Sequence, residues 1–145
     1  MQEEQGYRVP EVQRIVGISY RQLDYWARTG LVRPSIRDAQ GSGTQRLYSF
    51  QDLLVLKVIR RLLDIGVSLQ KVRKAVEYLR QSKQQLHAVT LVSDGQRIYT
   101  PDSTEALVDL IAGGQGAFVI PVDNVWKDLE VSLRKRARAV RAGGA

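Results

Sequence analysis

The sequence contains no cysteine and a single histidine, His87, in 145 residues. Disulfides, thiolate metal centres and cysteine nucleophiles are therefore excluded, and so is any metal site built on two imidazoles, zinc fingers included. Also absent is an apolar run of about 20 residues, the length needed to cross a bilayer. The segment Met1-Gln2-Glu3-Glu4-Gln5 lacks the basic and apolar regions of a signal peptide, so a cytoplasmic, nucleoid-associated location is expected, with no membrane partner. What is present, 43% hydrophobic and 26% charged residues, suffices for one compact domain or two small ones.

Charge is unevenly placed. Residues 1–86 hold 15 Lys and Arg against 8 Asp and Glu, whereas residues 87–145 hold 7 of each, so the whole net charge of +7 lies in the first part. Within the second part, residues 87–133 are acidic and residues 134–145 carry Arg134, Lys135, Arg136, Arg138 and Arg141 with no acid. This segregation predicts a polyanion-binding module over 1–86, a second module over 87–145 and a basic end. A charge run of this kind is more often a solvated face than a phosphate contact.

Helix signals are dense in the first module. Pro10 at an early helical position, Val12, Ile15 and Val16 at helical spacing, and Gly17 as a stop give a short helix. Ser19 and Gln22 have capping-box spacing, Leu23 and Trp26 share a face, and Gly30 ends a second helix; the tight Gly17-Ile18-Ser19 link makes a helix-turn-helix. Val32–Arg37 and Thr44–Ser49 then read as a hairpin with a tip at 38–43, Pro34 confining the first strand to an edge. Ser49 and Asp52 repeat the cap ahead of a helix marked by Leu53, Leu56, Ile59 and Leu63, and Ser68 starts a fourth helix marked by Leu69, Val72, Val76 and Leu79.

The second module reads as ββαβα: strands around Val89–Val92 and Arg97–Tyr99 joined by Ser93-Asp94-Gly95, a helix capped by Asp102 and Glu105, a buried strand over Ala117–Val122, and a last helix from Asp123 with an apolar stripe. The fold class is α+β, a winged helix-turn-helix followed by this small domain. Gly113 to Gly116 follows a helix and precedes a strand, the reverse of a phosphate loop, and is a turn. Asp94, Asp102, Glu105 and Asp109 resemble a carboxylate cluster, but three occupy turn or cap positions that favour acids anyway. No catalytic constellation, metal site or cofactor motif emerges, so the protein is not expected to be an enzyme.

A recognition helix needs donors on one face and an anchored opposite face. With Leu23 and Trp26 as anchors, Tyr20, Arg21, Gln22, Tyr25 and Arg28 remain for base edges and phosphates, and Arg33, Arg37 and Arg46 on the hairpin are placed for phosphate backbone or minor groove. The series Tyr7-Arg8-Val9-Pro10-Glu11-Val12, Gly17-Ile18-Ser19, Tyr25-Trp26, Gly30-Leu31-Val32-Arg33-Pro34, Gln45-Arg46-Leu47-Tyr48 and Leu62 to Leu69 resembles the DNA-binding domain of the MerR family of bacterial transcription regulators. The resemblance implies recognition-helix contacts from Tyr20, Arg21 and Tyr25, a wing signature in Arg46 and Tyr48, and a second wing in which Ser68 and Lys71 meet phosphates. It further implies a homodimer on an inverted-repeat promoter site, activation through DNA distortion, and RNA polymerase as a partner.

Two departures from the pattern stand out. Asp24-Tyr25-Trp26-Ala27 replaces the family's arginine, two aromatics and glutamate, and the wing tip is longer. Asp24 is expected to accept a hydrogen bond from cytosine or to orient a neighbouring arginine. The second module resembles an actinobacterial branch of such regulators, one member of which is associated with cell-division control; it supplies no cysteine for metal sensing, and no small-molecule effector is identified. The competing class is an architectural, excisionase-like protein that bends DNA without regulating polymerase.

Overall fold

The computed structural model describes residues 6–38, 45–81 and 85–143, apart from the side chains of 87 and 136–143. Residues 39–43 of the tip expected at 38–43, Thr44 at the start of its second strand, and the basic side chains of Arg136, Arg138 and Arg141 fall outside the described residues. The fold is α+β, with two small antiparallel sheets. The chain forms two compact units, Met1–Arg60 and Arg61–Ala145. Among the described residues no helix is long and apolar enough to cross a membrane.

In the first unit, strand β1 (Tyr7–Arg8) leads into helix α1 (Val9–Val12), with Pro10 in its first turn, and a π-helical turn over Gln13–Gly17. Gly17 closes this segment at φ +80, a backbone state open to glycine, and a Cβ there would lie 2.9 Å from the Arg60 guanidinium. Helix α2 (Tyr20–Arg28) follows, then β2 (Leu47–Tyr48) and α3 (Phe50–Asp64). Within this unit Leu53, Leu54, Leu56, Val58 and Ile59 of α3 are all fully buried, more than the single stripe expected, so the helix is apolar on several faces.

The hairpin differs from its expectation. Val32 does not enter a strand: the N–H groups of Leu31 and Val32 both donate to the Trp26 carbonyl, at 2.9 and 3.3 Å, so the chain after Gly30 is consumed in closing α2. Pro34 has no N–H to offer a ladder, and backbone pairing among the described residues is limited to Leu47, which bridges to Arg37 and also accepts the Ile36 N–H at 3.2 Å. β2 instead pairs with β1, Tyr48 opposite Tyr7 and Leu47 opposite Arg8, a strand that the periodicity of residues 7–8 is too short to announce.

In the second unit α4 (Leu69–Gln81) starts after Gly66, which turns the chain at φ +99, and buries Val72, Ala75, Val76 and Leu79. A 3-10 turn (Leu86–Ala88) precedes β3 (Thr90–Ser93), β4 (Ile98–Tyr99), α5 (Thr104–Ala112), β5 (Phe118–Pro121) and α6 (Val122–Gly143), which is the ββαβα order, with sheet order β4-β3-β5. Leu91, Val92, Ile120, Val122, Val125 and Leu129 form its core. Val125 and Leu129 thus bury the first part of the α6 stripe within the chain. Two details are corrected. The cap of α5 is Ser103, whose hydroxyl accepts from the Ala106 N–H at 3.0 Å, rather than Asp102. Strand β5 is not buried throughout, because Phe118 and Val119 remain exposed while Ile120 is covered. Asp94 acts as a turn acceptor, taking the N–H groups of Gln96 and Arg97 at 2.8 and 2.7 Å.

Candidate nucleic-acid interface

The start of α2 is fixed by a reciprocal cap. The Gln22 N–H donates to the Ser19 hydroxyl at 3.1 Å, and the Ser19 N–H donates to Gln22 Oε1 at 3.2 Å. Two of the helix's four orphan N-terminal donors are thereby met, which holds Tyr20 and Arg21 in the first turn. One face of α2 is sealed, with Leu23, Trp26 and Ala27 buried. The opposite side carries Tyr20, 58% exposed, and Tyr25, 46% exposed, together with exposed Arg21, Gln22 and Arg28. A ring left in water on a helix whose other aromatic is buried is a contact surface waiting for a flat or apolar partner. Gln22 has its amide oxygen committed to the cap and its nitrogen free to donate.

Asp24 sits at the junction of helix and wing. Its Oδ1 accepts from Arg46 Nη1 at 2.8 Å and its Oδ2 from Arg28 Nε at 2.9 Å. The hydrogen bond from Arg46, then that from Arg28, holds its carboxyl below the usual carboxylate range. Arg28 also lies 5.9 Å from the centroid of the Tyr25 ring, a cation-π distance. Asp24 therefore orients two arginines, with both of its oxygens occupied by them.

The hairpin side chains are more constrained than expected. Arg46 is only 13% exposed, and besides Asp24 it faces Asp38 Oδ1 at 3.4 Å. Tyr48, the other half of the wing signature, is fully buried, with its phenol pushed above its usual pKa by burial; as a DNA contact it is corrected, since a ring at 0% exposure belongs to the core. Arg37 donates from Nε to the Gln45 carbonyl at 2.9 Å and braces the wing from within, while its side chain remains exposed. Arg33 is exposed. In the second unit Ser68 caps α4, its hydroxyl accepting from the Lys71 N–H at 3.3 Å, and Lys71 is exposed one turn further on.

Sequence reasoning missed two contributors. Asp38 has no local motif, and Asp52 does more than cap α3: besides the Ser49 N–H at 2.9 Å it accepts the Ser35 N–H at 2.8 Å and the Ser35 hydroxyl at 2.7 Å, which ties the segment after α2 to the start of α3. A helical segment over residues 9–17, the tight turn at Gly17-Ile18-Ser19 and a capped second helix with one sealed face have the order of the helix-turn-helix class of DNA-binding module.

Comparison with known sequences narrows this class. The sequence model of the MerR HTH family regulatory proteins matches residues 7–79, and the chain belongs to that family. An uncharacterized HTH-type transcriptional regulator of Mycobacterium tuberculosis is 58% identical over 125 residues, 86% of this chain and 56% of that protein. The HTH-type transcriptional regulator HmrR of Sinorhizobium medicae is 29% identical over 66 residues, 46% of this chain and 43% of it. Nodulation protein NolA of Bradyrhizobium elkanii is 29% identical over 108 residues, 67% of this chain and 48% of it. The chain thus spans roughly half the length of the curated relatives it matches.

Proposed function

We propose that the protein is a sequence-specific transcription regulator that binds promoter DNA as a homodimer and distorts it for RNA polymerase. The observation that carries this reading is α2, capped at Ser19, anchored by Leu23, Trp26 and Ala27, and presenting Tyr20, Arg21, Gln22, Tyr25 and Arg28 on its open side. Residues 1–86 read the DNA, and residues 87–145 mediate dimerisation or contact with an effector or partner. Arg21 and Tyr20, in the first turn, reach base edges; Arg28, Arg33, Arg37 and, in the second unit, Ser68 and Lys71 contact the backbone. Asp24 and Arg46 set the position of the wing rather than contact bases themselves.

Footprinting on genomic fragments tests the reading. Two protected half-sites, related by a dyad and separated by whole helical turns of about 10 base pairs, are expected. A single unsymmetrical footprint indifferent to sequence would overturn it.

A further inference from the structure

The second unit contains a concave site that shares only Lys71 with the proposed DNA-reading surface. A cavity of about 350 Å³ lies between α4 and β4, lined by Lys71, Lys74 and Tyr78 from the helix and Arg97, Ile98 and Tyr99 from the hairpin. Its buried end is apolar, where Ala75 is covered and Ile98 half-covered, and its exposed rim carries the three cations. No carboxylate lines it, and no side-chain ion pair ties Lys71, Lys74 or Arg97 among the described residues. Asp94, which attracts Arg97, accepts two backbone N–H groups at its Oδ1. A neighbouring hollow shares Ile98, Tyr99 and Thr100 but is lined by Asp102 and Asp109. The two sides of β4 therefore differ in sign, and only the α4 side suits an anion.

Three cations around an apolar floor with two phenol rings select a particular chemistry. A phosphate or carboxylate is met by the lysines and the guanidinium, and a flat ring is met by Tyr78, Tyr99 and the Ile98 side chain. The volume of about 350 Å³ is near the lower end of the range of about 300–1,000 Å³ seen for small-molecule sites, which suits one flat base joined to one phosphate-bearing group. The outer backbone of a duplex presents phosphates along a convex ridge and no free ring, so it matches the rim and leaves the tyrosine-lined interior unfilled. We propose that this cleft binds a small aromatic anion of the mononucleotide kind. Because Lys71 also belongs to the phosphate contacts of the proposed DNA-binding surface, occupancy of the cleft competes with DNA; that last step rests on the function proposed above.

The test is an NMR titration of the whole chain, labelled with nitrogen-15, with AMP, adenosine or inorganic phosphate. AMP is expected to shift the amides of residues 71–78 and 97–100 saturably, with phosphate and adenosine each weaker at the same residues. Lys74→Glu with Arg97→Glu should weaken AMP at least tenfold while leaving the rest of the spectrum in place, since both side chains lie at the surface; Tyr78→Ala should weaken AMP and leave phosphate unchanged. Absence of saturable shifts, shifts centred elsewhere, or unchanged affinity in the charge-reversed variant would each overturn the proposal. A short duplex that perturbs the cleft when AMP does not would assign the cations to DNA and overturn it too. Duplex binding by the wild type, with its sequence preference relaxed in Arg21→Ala, is read separately, so failure of the ligand site and failure of the DNA reading are distinguishable. Displacement of duplex by AMP is the expected sign of competition, and AMP binding with no displacement would remove the regulatory step.

Discussion

Replacing Ser19 by alanine isolates the contribution of the α2 cap. The substitution removes the hydroxyl that accepts the Gln22 N–H at 3.1 Å, while the return bond from the Ser19 N–H to Gln22 Oε1 at 3.2 Å needs only backbone and survives in part. Loss of a serine N-cap costs about 1 kcal/mol, which lowers the melting temperature by about 4 °C for a chain of this size. The same free energy changes the ratio of formed to frayed first turn about fivefold. Tyr20 and Arg21 stand in that turn, so affinity for specific DNA should fall by no more than this factor. Thermal denaturation followed by circular dichroism and a fluorescence anisotropy titration on one operator read the two quantities. Ser19→Asp separates them: an aspartate caps equally well and suits the positive end of the helix, so stability stays level, but its charge repels phosphate and affinity drops. An unchanged melting temperature in Ser19→Ala would refute the capping argument. A loss of affinity far beyond fivefold would show that the hydroxyl itself touches DNA.

Arg21→Ala should relax sequence choice by about 1–3 kcal/mol at one base position, whereas Arg46→Ala, which leaves Asp24 with one fewer cation, should weaken specific and random DNA alike; competition assays with mutated operators distinguish the two. Asp24 has a lowered pKa because Arg46 and Arg28 stabilise its charged form, so its contribution is present above the unfolded carboxylate value and is lost as pH falls through the lower folded value. DNA affinity should accordingly show no Asp24-dependent change between pH 5 and pH 8 (about the range over which the carboxylate stays ionised in both states), checked by comparing wild type with Asp24→Asn. The same variant frees Arg28 and leaves Arg46 facing Asp38 alone, so its binding to random DNA should rise and its salt dependence steepen. Gly66→Ala places a side chain at φ +99 with its Cβ no nearer than 3.7 Å to Gly95 O, so the cost is backbone strain of about 1–3 kcal/mol, seen as a lower urea midpoint at unchanged slope.

The elements legible in the sequence were those whose signals lie within one helical turn. Ser19 with Gln22, and Ser49 with Asp52, are three residues apart, and each pair forms the reciprocal bonds its spacing announces. Gly17, Gly30 and Gly66, read as stops, all adopt positive φ. Apolar composition was less reliable. Ala117–Val122 reads as a buried strand, yet β5 lies at the edge of the sheet β4-β3-β5 and leaves Phe118 and Val119 in water. Tyr48 matched a wing signature, and the motif says nothing of which way its ring turns; only the pairing of β2 with β1 places it inward.

What could not be read is what joins residues far apart in the chain. Asp24 and Arg46 are 22 positions apart, and Ser35 and Asp52 are 17 apart, so neither link leaves a periodic trace. Yet these links decide what the surface can do. An acid at position 24 looks unfavourable on a helix meant for phosphates when α2 is considered alone. With both oxygens occupied by arginines from its own helix and from the wing, the same carboxylate becomes the fixed point that keeps one cation on the helix and one on the loop at a set separation. The cost of a negative charge at the interface is offset by the order it imposes on two flexible side chains, each of which would otherwise lose about 2 kcal/mol of rotamer entropy on meeting DNA. Pre-organisation of this kind raises specificity more than affinity, because a misplaced phosphate cannot draw either arginine away without leaving one Asp24 oxygen unpaired.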